Sequence, residues 1–545
     1  MIRIDQLKIK ISENAPDLKE TVAKRLRIKQ ADVTTVKIIK RSIDARKKPD
    51  LYFVYSVCAD VSNEKKVLNS FSRDKDVSVY EPVIYMLPEN GDEKLTDCPV
   101  IVGAGPAGLF CAYELALEGY KPLVVERGRR VEDRRTDIEK FWKTGVLDPS
   151  SNVQFGEGGA GTFSDGKLTT SIKDRSGRIG EVLGIFVKHG AEESILYENM
   201  PHIGTDRLRD IIIKLRHSIE EMGGKVIFET VLTGIKAVSG RITGCRLKGP
   251  DGSEYEISCS ELILATGHSA RDTYRMLYDS GVVMEQKPFA AGLRVIHPQK
   301  MIDNAQYGDA SYAGILGAAP YKLTAESEGR GVFSFCMCPG GYVVNSSSEV
   351  FGTVVNGMSN SKRDSGYANS AIVVSIPVSD YPDDHPLSGI LFQEDLEKRT
   401  FDLCKGKMPL QRLGDFKEKS GIGSLNKSGE DYFENFDESG GIRGKYEFSD
   451  LTGIFNSTVN HAFVNGMERF GRVIPGFDDD RVILAGVESR TSSPVRITRD
   501  DEMYSNIKGL MPIGEGAGYA GGITSAAIDG IKAAEQIIKK YKSFE

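Results

Sequence analysis

The residues best suited to bind a nucleotide are three glycines, Gly103, Gly105 and Gly108, in the spacing G-x-G-x-x-G. They follow the β-branched run 100–102 and precede the apolar segment 109–117, which has helical periodicity. In a strand, turn and helix of this kind, the first glycine permits the turn, the second lets a pyrophosphate approach the backbone, and the third lets the helix pack on the strand. The helix N-terminus then faces the phosphates. The alternative is a glycine-rich turn without a ligand.

Glu126 strengthens the prediction of dinucleotide binding. It ends the next predicted strand, 122–126. In dinucleotide-binding folds an acid about 20 residues beyond the first glycine, here Gly103, binds a ribose hydroxyl. An acid at this position favours FAD or NAD over NADP. Taken alone, Glu126 is equally consistent with a solvated acid at a strand end.

Two further stretches are rich in glycine, and the first of them is predicted to contact the same ligand. Residues 152–167 mix glycines with Thr162, Ser164 and Lys167, so that backbone amides can approach an anion or a flat ring. A flexible surface loop is the alternative for this stretch. Residues 509–523 form a strand and a glycine turn that carries Glu515, and a helix follows.

Candidate catalytic groups are fewer. His268 follows the strand end Ala-Thr-Gly267 and is a candidate proton donor, with a turn-capping histidine as the alternative. Among the eight cysteines, Cys336 and Cys338 form the one close pair, and their spacing places both on one face of a strand. A three-residue disulfide is strained, so packed thiols are the alternative. Arg294 and His297 fall on opposite strand faces, and no cysteine and histidine spacing is typical of zinc.

The composition is that of an ordinary enzyme-sized protein. The chain has 545 residues, 40% hydrophobic and 27% charged residues, and a net charge of −6. These values give no argument for a nucleic acid or an anionic membrane as partner. Without a signal-peptide pattern or a long apolar run, we expect a cytoplasmic protein with no membrane span and mostly reduced thiols.

Residues 1–95 are predicted to form a small separate domain with a ferredoxin-like α/β sandwich. Its order is β-α-β-β, followed by a last strand at 80–87. The basic stretch 41–48 is interpreted as a turn between two strands. This turn could dock an acidic partner, and a solvated hairpin is the alternative.

Three segments follow along the chain. Residues 96–285 are predicted to be the first part of a three-layer α/β nucleotide domain, in which 206–222 is a helix and 226–232 is a buried parallel strand. Residues 286–477 are predicted to be an inserted β-rich α+β substrate domain. Residues 478–545 are predicted to return to the nucleotide domain, beginning with a strand at 482–487. The inserted segment includes one good helix at 390–403 and a polar loop at 420–441.

The glycine turn, the Ala-Thr-Gly267 strand end and the C-terminal Gly-Glu-Gly-Ala-Gly-Tyr-Ala-Gly-Gly resemble the FAD-binding domain of glutathione-reductase-like flavoproteins. Most of the chain after about residue 85 is similar to the uncharacterised FAD-dependent dehydrogenase family of bacteria. The similar stretches are 155–167, 267–272, 336–341 and 489–496.

This resemblance implies FAD as the cofactor. Its pyrophosphate would lie on the glycine turn, its adenosine ribose on Glu126, its adenine on the backbone near Val231 and Leu232, and a ribityl hydroxyl on Glu515. The residues expected at the cofactor are Gly103, Gly105, Pro106, Ala107, Gly108, Glu126, Arg127, Gly158, Gly161, Lys167, Val231, Leu232, Ala265, Thr266, Gly267, Gly514, Glu515, Gly522 and Ile523.

The chain departs from its relatives at two points. Related flavoproteins usually have aspartate where Glu515 stands, so the hydroxyl contact is expected to shift. No second complete nucleotide domain with the glycine motif follows Gly108, so NAD(P)H, if it is a transient reductant, must bind without a Rossmann domain of its own. This arrangement favours the style of p-hydroxybenzoate hydroxylase and geranylgeranyl reductase, and 333–341 is loosely similar to their strand over the flavin.

The leading hypothesis is an FAD-dependent oxidoreductase that transfers hydride or electrons to or from a small-molecule substrate or a redox protein partner. His268 and Cys338 are its weak catalytic candidates. One alternative is a flavin-bound sensor or assembly protein, suggested by the extra N-terminal domain. Another is an FAD-dependent RNA-modifying enzyme. The lack of a basic stripe in the chain argues against this alternative.

Overall fold

The structure is a computed structural model that describes residues 1–12, 16–423, 432–433 and 437–544. Three packed parts are named here by their sheets: the N-terminal unit (1–79), the parallel-sheet domain (93–283 and 498–544) and the β-rich domain (287–494). No helix in the described ranges has the length and apolar character needed to cross a lipid bilayer.

The N-terminal unit is one antiparallel sheet covered by two helices. Its elements are β1 Ile2–Lys10, α1 Leu18–Leu26, β2 Val33–Lys47, β3 Asp50–Val61, α2 Glu64–Ser70 and β4 Val77–Val79. The strand order is β2-β3-β1-β4, with every pair antiparallel, which is the ferredoxin-like arrangement. Asp17 caps α1 by accepting a hydrogen bond from the Glu20 amide, and Val22 and Leu26 pack against the sheet.

Two predictions for this unit are wrong. The basic stretch 41–48 is not a turn, because pairing with β3 continues from Arg41 to Lys47 and the chain reverses only at residues 48 and 49. The last strand is β4, and 80–87 belong to no strand of the described chain. Pro82 and Pro88 in and beside this stretch lack the amide N–H that a ladder needs.

The parallel-sheet domain begins with alternating strands and helices. Its elements are β5 Glu93–Lys94, β6 Val100–Val102, α3 Pro106–Leu117, β7 Leu123–Val125, α4 Val131–Thr144, α5 Arg178–Lys188, α6 Thr205–Glu221, β8 Lys225–Ile227, β9 Val231–Val238, β10 Arg241–Lys248, β11 Glu254–Ser258, β12 Leu262–Leu264 and α7 Arg271–Asp279. The strand predicted at 226–232 is divided into β8 and β9 because the chain turns at Glu229, which has φ +52°.

The β-rich domain is connected through β13 Met284–Gln286. Its elements are β14 Phe289–Pro298, α8 Gln299–Tyr307, α9 Ala313–Leu316, β15 Thr324–Ser327, β16 Arg330–Cys338, β17 Gly341–Asn345, β18 Val355–Ser359, β19 Tyr367–Ile376, α10 Ser388–Cys404, β20 Met408–Arg412, α11 Leu413–Lys419, β21 Ile442–Arg443, β22 Tyr446–Phe448, α12 Ser457–Gly471 and β23 Ile483–Glu488. Seven strands form the sheet β15-β16-β19-β14-β23-β20-β22, and β18-β17-β21 form a second sheet. Within the predicted loop 420–441, residues 424–431 and 434–436 lie outside the described residues.

The strand predicted at 482–487 is present, but its assignment to the nucleotide domain is wrong. It forms β23, which pairs with β14 and β20 inside the seven-stranded sheet. The chain leaves the β-rich domain only through β24 Val495–Ile497, which pairs with β13 in a two-stranded ribbon. The connection between the domains is therefore a pair of adjacent strands.

The C-terminal elements complete the parallel sheet. They are β25 Leu510–Pro512, α13 Ile523–Lys540 and β26 Tyr541–Lys542, and the sheet order is β25-β12-β6-β7-β8. Helices α3, α5, α6 and α13 share one core with this sheet, and β9 and β10 share a second core with it. Helix α3 is buried on all sides because α13 packs closely on it, where a Cβ at Gly530 would meet the Ala107 carbonyl oxygen at 2.0 Å.

Candidate functional site

One pocket lies where the carboxyl ends of β6, β12 and β25 meet the β-rich domain. Gly103, Ala265 and Ile513, which follow these three strands, line one wall, and Cys336 and Arg490 of the β-rich domain line the other. Ligands of open parallel sheets bind at the carboxyl ends of the strands. The fold therefore brings both domains to the place where a ligand is expected.

The three glycines of the turn differ in what surrounds them. Gly103 has φ +109°, and a Cβ there would lie 2.3 Å from the Ala265 carbonyl oxygen. A Cβ at Gly108 would lie 1.9 Å from the Gly103 carbonyl oxygen, whereas at Gly105 the nearest atom is 3.9 Å away. Gly103 and Gly108 thus permit close backbone packing, and Gly105 leaves an open surface beside the pocket.

The N-terminus of α3 points into the pocket. Its N-cap is Gly105, which has no side chain to accept a hydrogen bond, and Pro106 is the first helical residue. The amides of the first turn therefore lack intrahelical partners and carry the positive end of the helix dipole. Pro106 and Ala107 both line the pocket. This end of the helix is suited to a phosphate.

Glu126 is held by backbone amides. Its buried carboxylate accepts hydrogen bonds from Ala104 (2.8 Å), Gly128 (2.9 Å) and Gly156 (3.0 Å), and it lines the pocket. The carboxylate therefore joins the glycine turn to the start of the glycine-rich stretch. Beside it, the Arg127 guanidinium lies over the Phe155 ring at 4.5 Å.

A buried arginine organises the glycine-rich stretch. The Arg134 guanidinium donates hydrogen bonds to five carbonyl groups, those of Asn152, Val153, Gly156, Glu157 and Gly159. Burial lowers the pKa of Arg134 to about 10, so the guanidinium remains charged at neutral pH. With its carbonyls occupied in this way, the loop is a built structure that places Gly161 and Lys167 at the pocket. It is not the flexible surface loop of the alternative interpretation.

Glu515 lies at the end of the pocket that is formed by the C-terminal glycine turn. Gly514, Gly522 and Ile523 line the same end. Burial raises the pKa of Glu515 to about 7; Lys287 opposes this rise, and Cys336 adds to it. The carboxyl group is therefore able to accept or donate a hydrogen bond near neutral pH.

His268 lines the pocket after β12, as the sequence predicted for its position. Its Nδ1 lies 3.0 Å from the Ser269 hydroxyl, which donates a hydrogen bond to the Gln154 side chain. Burial lowers the pKa of His268 to about 3, and the nearby Arg490 and Arg271 contribute to this shift. The imidazole is therefore neutral at pH 7. Because the Ser269 hydroxyl gives its proton to Gln154, Nδ1 donates to Ser269 and Nε2 is left as a hydrogen-bond acceptor.

The opposite wall rests on two buried charge clusters of the β-rich domain. In the first, Arg294 donates to Glu488 (3.0 Å), Asn369 (2.6 Å) and Asn356 (3.2 Å). In the second, Glu397 accepts hydrogen bonds from Arg271 of α7 and from Arg490. The second cluster, which we call the Glu397 cluster, ties the parallel-sheet domain to the β-rich domain. Each cluster contributes to the lining of the pocket, through Asn356 and Glu488 in the first and through Arg490 in the second.

Most of the expected cofactor residues line the pocket, and four candidates do not. Gly108 and Gly158 pack against protein atoms, since a Cβ at Gly158 would lie 2.0 Å from the Thr162 hydroxyl. Leu232 lines the pocket and Val231 does not, and Cys336 replaces Cys338 as the lining cysteine. Lining residues that the sequence analysis did not single out include Thr230, Ser269, Thr273, Asn356, Glu488, Arg490 and Thr491. The polar run that follows the apolar segment 483–487 is the signal that could have found three of them.

Comparisons with known proteins give matches to three parts of the chain. Residues 288–491 match the family model described as FAD-dependent protein, C-terminal domain-like, so the match includes β23. Residues 101–134 match the NAD(P)-binding Rossmann-like domain, and residues 1–60 match a domain of unknown function. An uncharacterized protein of Clostridium beijerinckii is 43% identical over 545 residues, which cover 99% of each chain.

The solved structures that resemble this chain do so only at low sequence identity and low TM-score. A flavin-dependent brominase mutant is 14% identical with a TM-score of 0.36, over 81% of this chain and 79% of that chain. A geranylgeranyl bacteriochlorophyll reductase-like protein from Thermoplasma acidophilum is 14% identical with a TM-score of 0.35, over 82% of this chain and 78% of that chain. Likenesses of this size carry no argument about activity.

The domain matches and the glycine turn at the pocket define the chain as an FAD-dependent flavoprotein with a Rossmann-like domain, which confirms FAD as the predicted cofactor. The chain belongs to the same family as the clostridial protein. The pocket also fits FAD physically. Gly105, Gly267 and Gly522 line it, and added Cβ atoms would find no protein atom closer than 3.9 Å, so a cradle lies open beside unpaired helix amides.

Proposed function

We propose that the chain is an FAD-dependent oxidoreductase that passes hydride or electrons between FAD and a small-molecule substrate or a redox protein partner. The observation that carries this proposal is the single pocket that runs from the glycine turn to the charged wall of the β-rich domain. A wall built from a second domain supports a substrate that binds between FAD and the β-rich domain.

When bound, FAD supplies two-electron redox chemistry, and the chain supplies position and electrostatics. The first-turn amides of α3 bind the pyrophosphate, and Glu126 binds the adenosine ribose. The Glu515 carboxyl group, with a pKa near 7, holds a ribityl hydroxyl. The neutral His268, whose Nδ1 bonds to Ser269, offers Nε2 as a hydrogen-bond acceptor. The charged wall is rigid because the Arg294 and Arg490 guanidinium groups are held by buried carboxylates.

NAD(P)H is proposed as a transient reductant. One Rossmann-like match, at 101–134, supports the view that the nicotinamide nucleotide has no domain of its own here. It would enter from the side of the β-rich domain, in the style of p-hydroxybenzoate hydroxylase, rather than through a second nucleotide domain as in glutathione-reductase-like enzymes. No nucleic acid is proposed as partner.

The test is the visible spectrum of the purified protein during anaerobic titration with NADPH and then NADH. We expect a bound flavin spectrum that at least one of the two nucleotides bleaches. If flavin is bound and neither nucleotide bleaches it, the reductant is the substrate or a protein partner. Protein that neither retains nor binds flavin refutes the proposal.

A pair of glycine variants tests the cradle itself. Gly105→Ala adds a Cβ whose nearest protein atom is 3.9 Å away, so we expect folded protein whose flavin affinity is at least tenfold weaker. Gly180→Ala is the control, because a Cβ there finds no atom within 4 Å and lies on α5, away from the pocket. Equal flavin affinity in both variants would contradict the placement of the pyrophosphate.

A further inference from the structure

The strand β16 is distorted where it reaches the pocket. It pairs with β19 at Phe335↔Ala371 and next at Cys338↔Asn369, so β16 carries one extra residue, a β-bulge. Within the bulge, Cys336 has φ +45°, a conformation that a non-glycine residue adopts at a cost. Backbone strain of this kind is found mainly at functional sites.

The bulge brings two thiols together at the pocket wall. Cys336 lines the pocket, while Cys338 is fully buried directly behind it. The two thiols lie close enough to shift each other's pKa, and the Cys338 thiol donates a hydrogen bond to the Cys336 carbonyl oxygen at 3.3 Å. Neither cysteine is in a disulfide in this structure.

Cations face this thiol pair. The Arg294 Nη1 lies 4.0 Å from the Cys338 Sγ. The neighbouring Cys338 lowers the pKa of Cys336 below that of a free thiol, and Lys167 and Arg294 act in the same direction against burial. Asp165 acts in the opposite direction, and Glu488 and Glu515 are the other carboxyl groups that face Cys336. The facing cations therefore favour the thiolate form of Cys336.

A second thiol pair in the chain shows what is special about the first. Cys245 and Cys259 also shift each other's pKa, but they lie in the apolar core that β9 and β10 share with the parallel sheet. Neither lines the pocket. Contact between two thiols is therefore not what distinguishes Cys336 and Cys338; the pocket and the facing cations do.

We propose that Cys336 and Cys338 form a redox-active dithiol that exchanges two electrons with the flavin in the pocket. This inference rests on the proposed function. In the oxidising direction, the Cys336 thiolate and the Cys338 thiol form one S–S bond, and two electrons and the Cys338 proton pass to oxidised FAD. The reverse step breaks the S–S bond and restores the thiolate and the thiol. The substrate class that follows from this proposal is a compound that a dithiol reduces or that a disulfide oxidises.

The tightness of the three-residue ring favours this role. Strain in a disulfide makes it easier to reduce, and disulfides of this kind are the labile or catalytic ones. A disulfide that served only stability would need relaxed geometry and a long closed loop.

The experiment is an anaerobic dithionite titration of the flavin-loaded protein after mild oxidation with ferricyanide. We expect wild type to consume twice the reducing equivalents that its flavin alone requires. Cys336→Ser and Cys338→Ser are each expected to halve this consumption, while Cys245→Ser leaves it at the wild-type value. Cys336→Ser is the safer variant, because Cys336 is only partly buried and its loss leaves no cavity in the core.

A second readout does not depend on electron counting. Alkylation followed by mass measurement should find two fewer reactive thiols in the oxidised protein than the eight cysteines of the chain, with both blocked sites in the peptide that holds 336–338. The dithiol proposal is overturned if wild type consumes only the reducing equivalents of its flavin, or if both of these thiols remain alkylatable after oxidation. The proposed function stays intact in that case as long as the flavin is bleached. A loss of the extra equivalents in Cys245→Ser, with Cys336→Ser unaffected, also overturns it. Protein without flavin refutes the proposed function instead.

Discussion

The two walls of the pocket are held in place by different interactions. On the parallel-sheet side, backbone atoms define the shape: glycines, helix amides and the amides around Glu126. On the β-rich side, buried ion pairs define it, through Arg294 with Glu488 and the Glu397 cluster. A backbone cradle suits a cofactor whose phosphates are always the same. A wall of side chains can be changed by substitution without changing the sheet, which suits the part of a site that selects a substrate.

The largest effect is expected from Glu397→Gln, which tests the side-chain wall. Glu397 is buried. The substitution leaves Arg271 and Arg490 without their main carboxylate partner, although Glu349 still contacts Arg271. Breaking a buried ion pair from one side is costly, so we expect the free energy of unfolding to fall by about 3 kcal/mol. Urea unfolding followed by fluorescence measures this, because Trp142 is the single tryptophan and donates a hydrogen bond across the domains to the Asn345 carbonyl.

Glu394→Gln is the matched control on the same helix. Glu394 pairs with the half-exposed Arg275, and exposed pairs contribute little, so we expect a change below about 0.5 kcal/mol. If the two variants were equally mild, buried charges would not be what holds the β-rich wall.

The Glu397 cluster also predicts that the protein is sensitive to acid. Burial alone would raise the pKa of Glu397, but Arg271 and Arg490 hold it well below its usual range, so its stabilising effect is lost as pH falls below about 4.5.

A smaller effect is expected from Gly108→Ala, which tests the backbone wall. The added methyl group would overlap the Gly103 carbonyl oxygen, so α3 has to move away from the turn. Overpacking of this kind costs about 1 to 3 kcal/mol, and we expect flavin affinity to fall because the helix amides move with the helix. Thermal unfolding and flavin titration measure the two effects.

Gly184→Ala on α5 serves as the control for Gly108→Ala. A Cβ at Gly184 meets no atom within 4 Å, so the substitution should be neutral or stabilise the helix by up to about 1 kcal/mol. Destabilisation of both variants by the same amount would show that the cost comes from the helix and not from its approach to the turn.

The smallest effect is expected from His268→Gln at the meeting point of the walls. The pKa of His268 is about 3 in the folded chain and about 6.5 when unfolded, so the unfolded state binds a proton that the folded state does not. This residue therefore favours unfolding as pH falls from 6.5 towards 3. We expect the stability difference between pH 7.5 and pH 5.0 to shrink by about 1 to 2 kcal/mol in the variant. Urea midpoints at the two pH values provide the measurement.

His217→Gln is the control for this pH effect. His217 is exposed on α6, away from the pocket, so its replacement should leave the difference between the two pH values as in wild type. A wild-type pH profile in His268→Gln would show that burial does not keep the imidazole neutral, and its assignment as a neutral hydrogen-bonding group would fail.

Local patterns in the sequence predicted the parallel-sheet side of the site well. The order of strand, glycine turn and helix at 100–117 depends on residues that are close in sequence. The glycine spacing also indicates where the backbone packs closely on other backbone atoms or on a ligand. Glu126 and Glu515 were found in the same way, because each ends or follows a predicted strand. The helices predicted at 206–222 and 390–403 also lie close to the observed bounds of α6 and α10.

Pairing partners could not be read from the sequence in the same way. An apolar strand such as β23 has the same pattern in either domain, and only its pairing with β14 and β20 assigns it to the seven-stranded sheet. The bulge in β16 was likewise hidden, because an extra residue appears only when the register of the partner strand is known. The spacing of Cys336 and Cys338 predicted a shared face, yet one lines the pocket and the other lies behind it.

The sequence by itself determined the cofactor class and the order of strand, glycine turn and helix, because phosphate binding needs glycines and a helix N-terminus that are contiguous in the chain. The tertiary structure alone decided which side chains face that cradle. Arg271, Glu397 and Arg490 come from three distant segments, and buried charges find their partners through packing and not through spacing. The same holds for Lys167, Arg294 and the two thiols, whose chemistry exists only where the two domains meet.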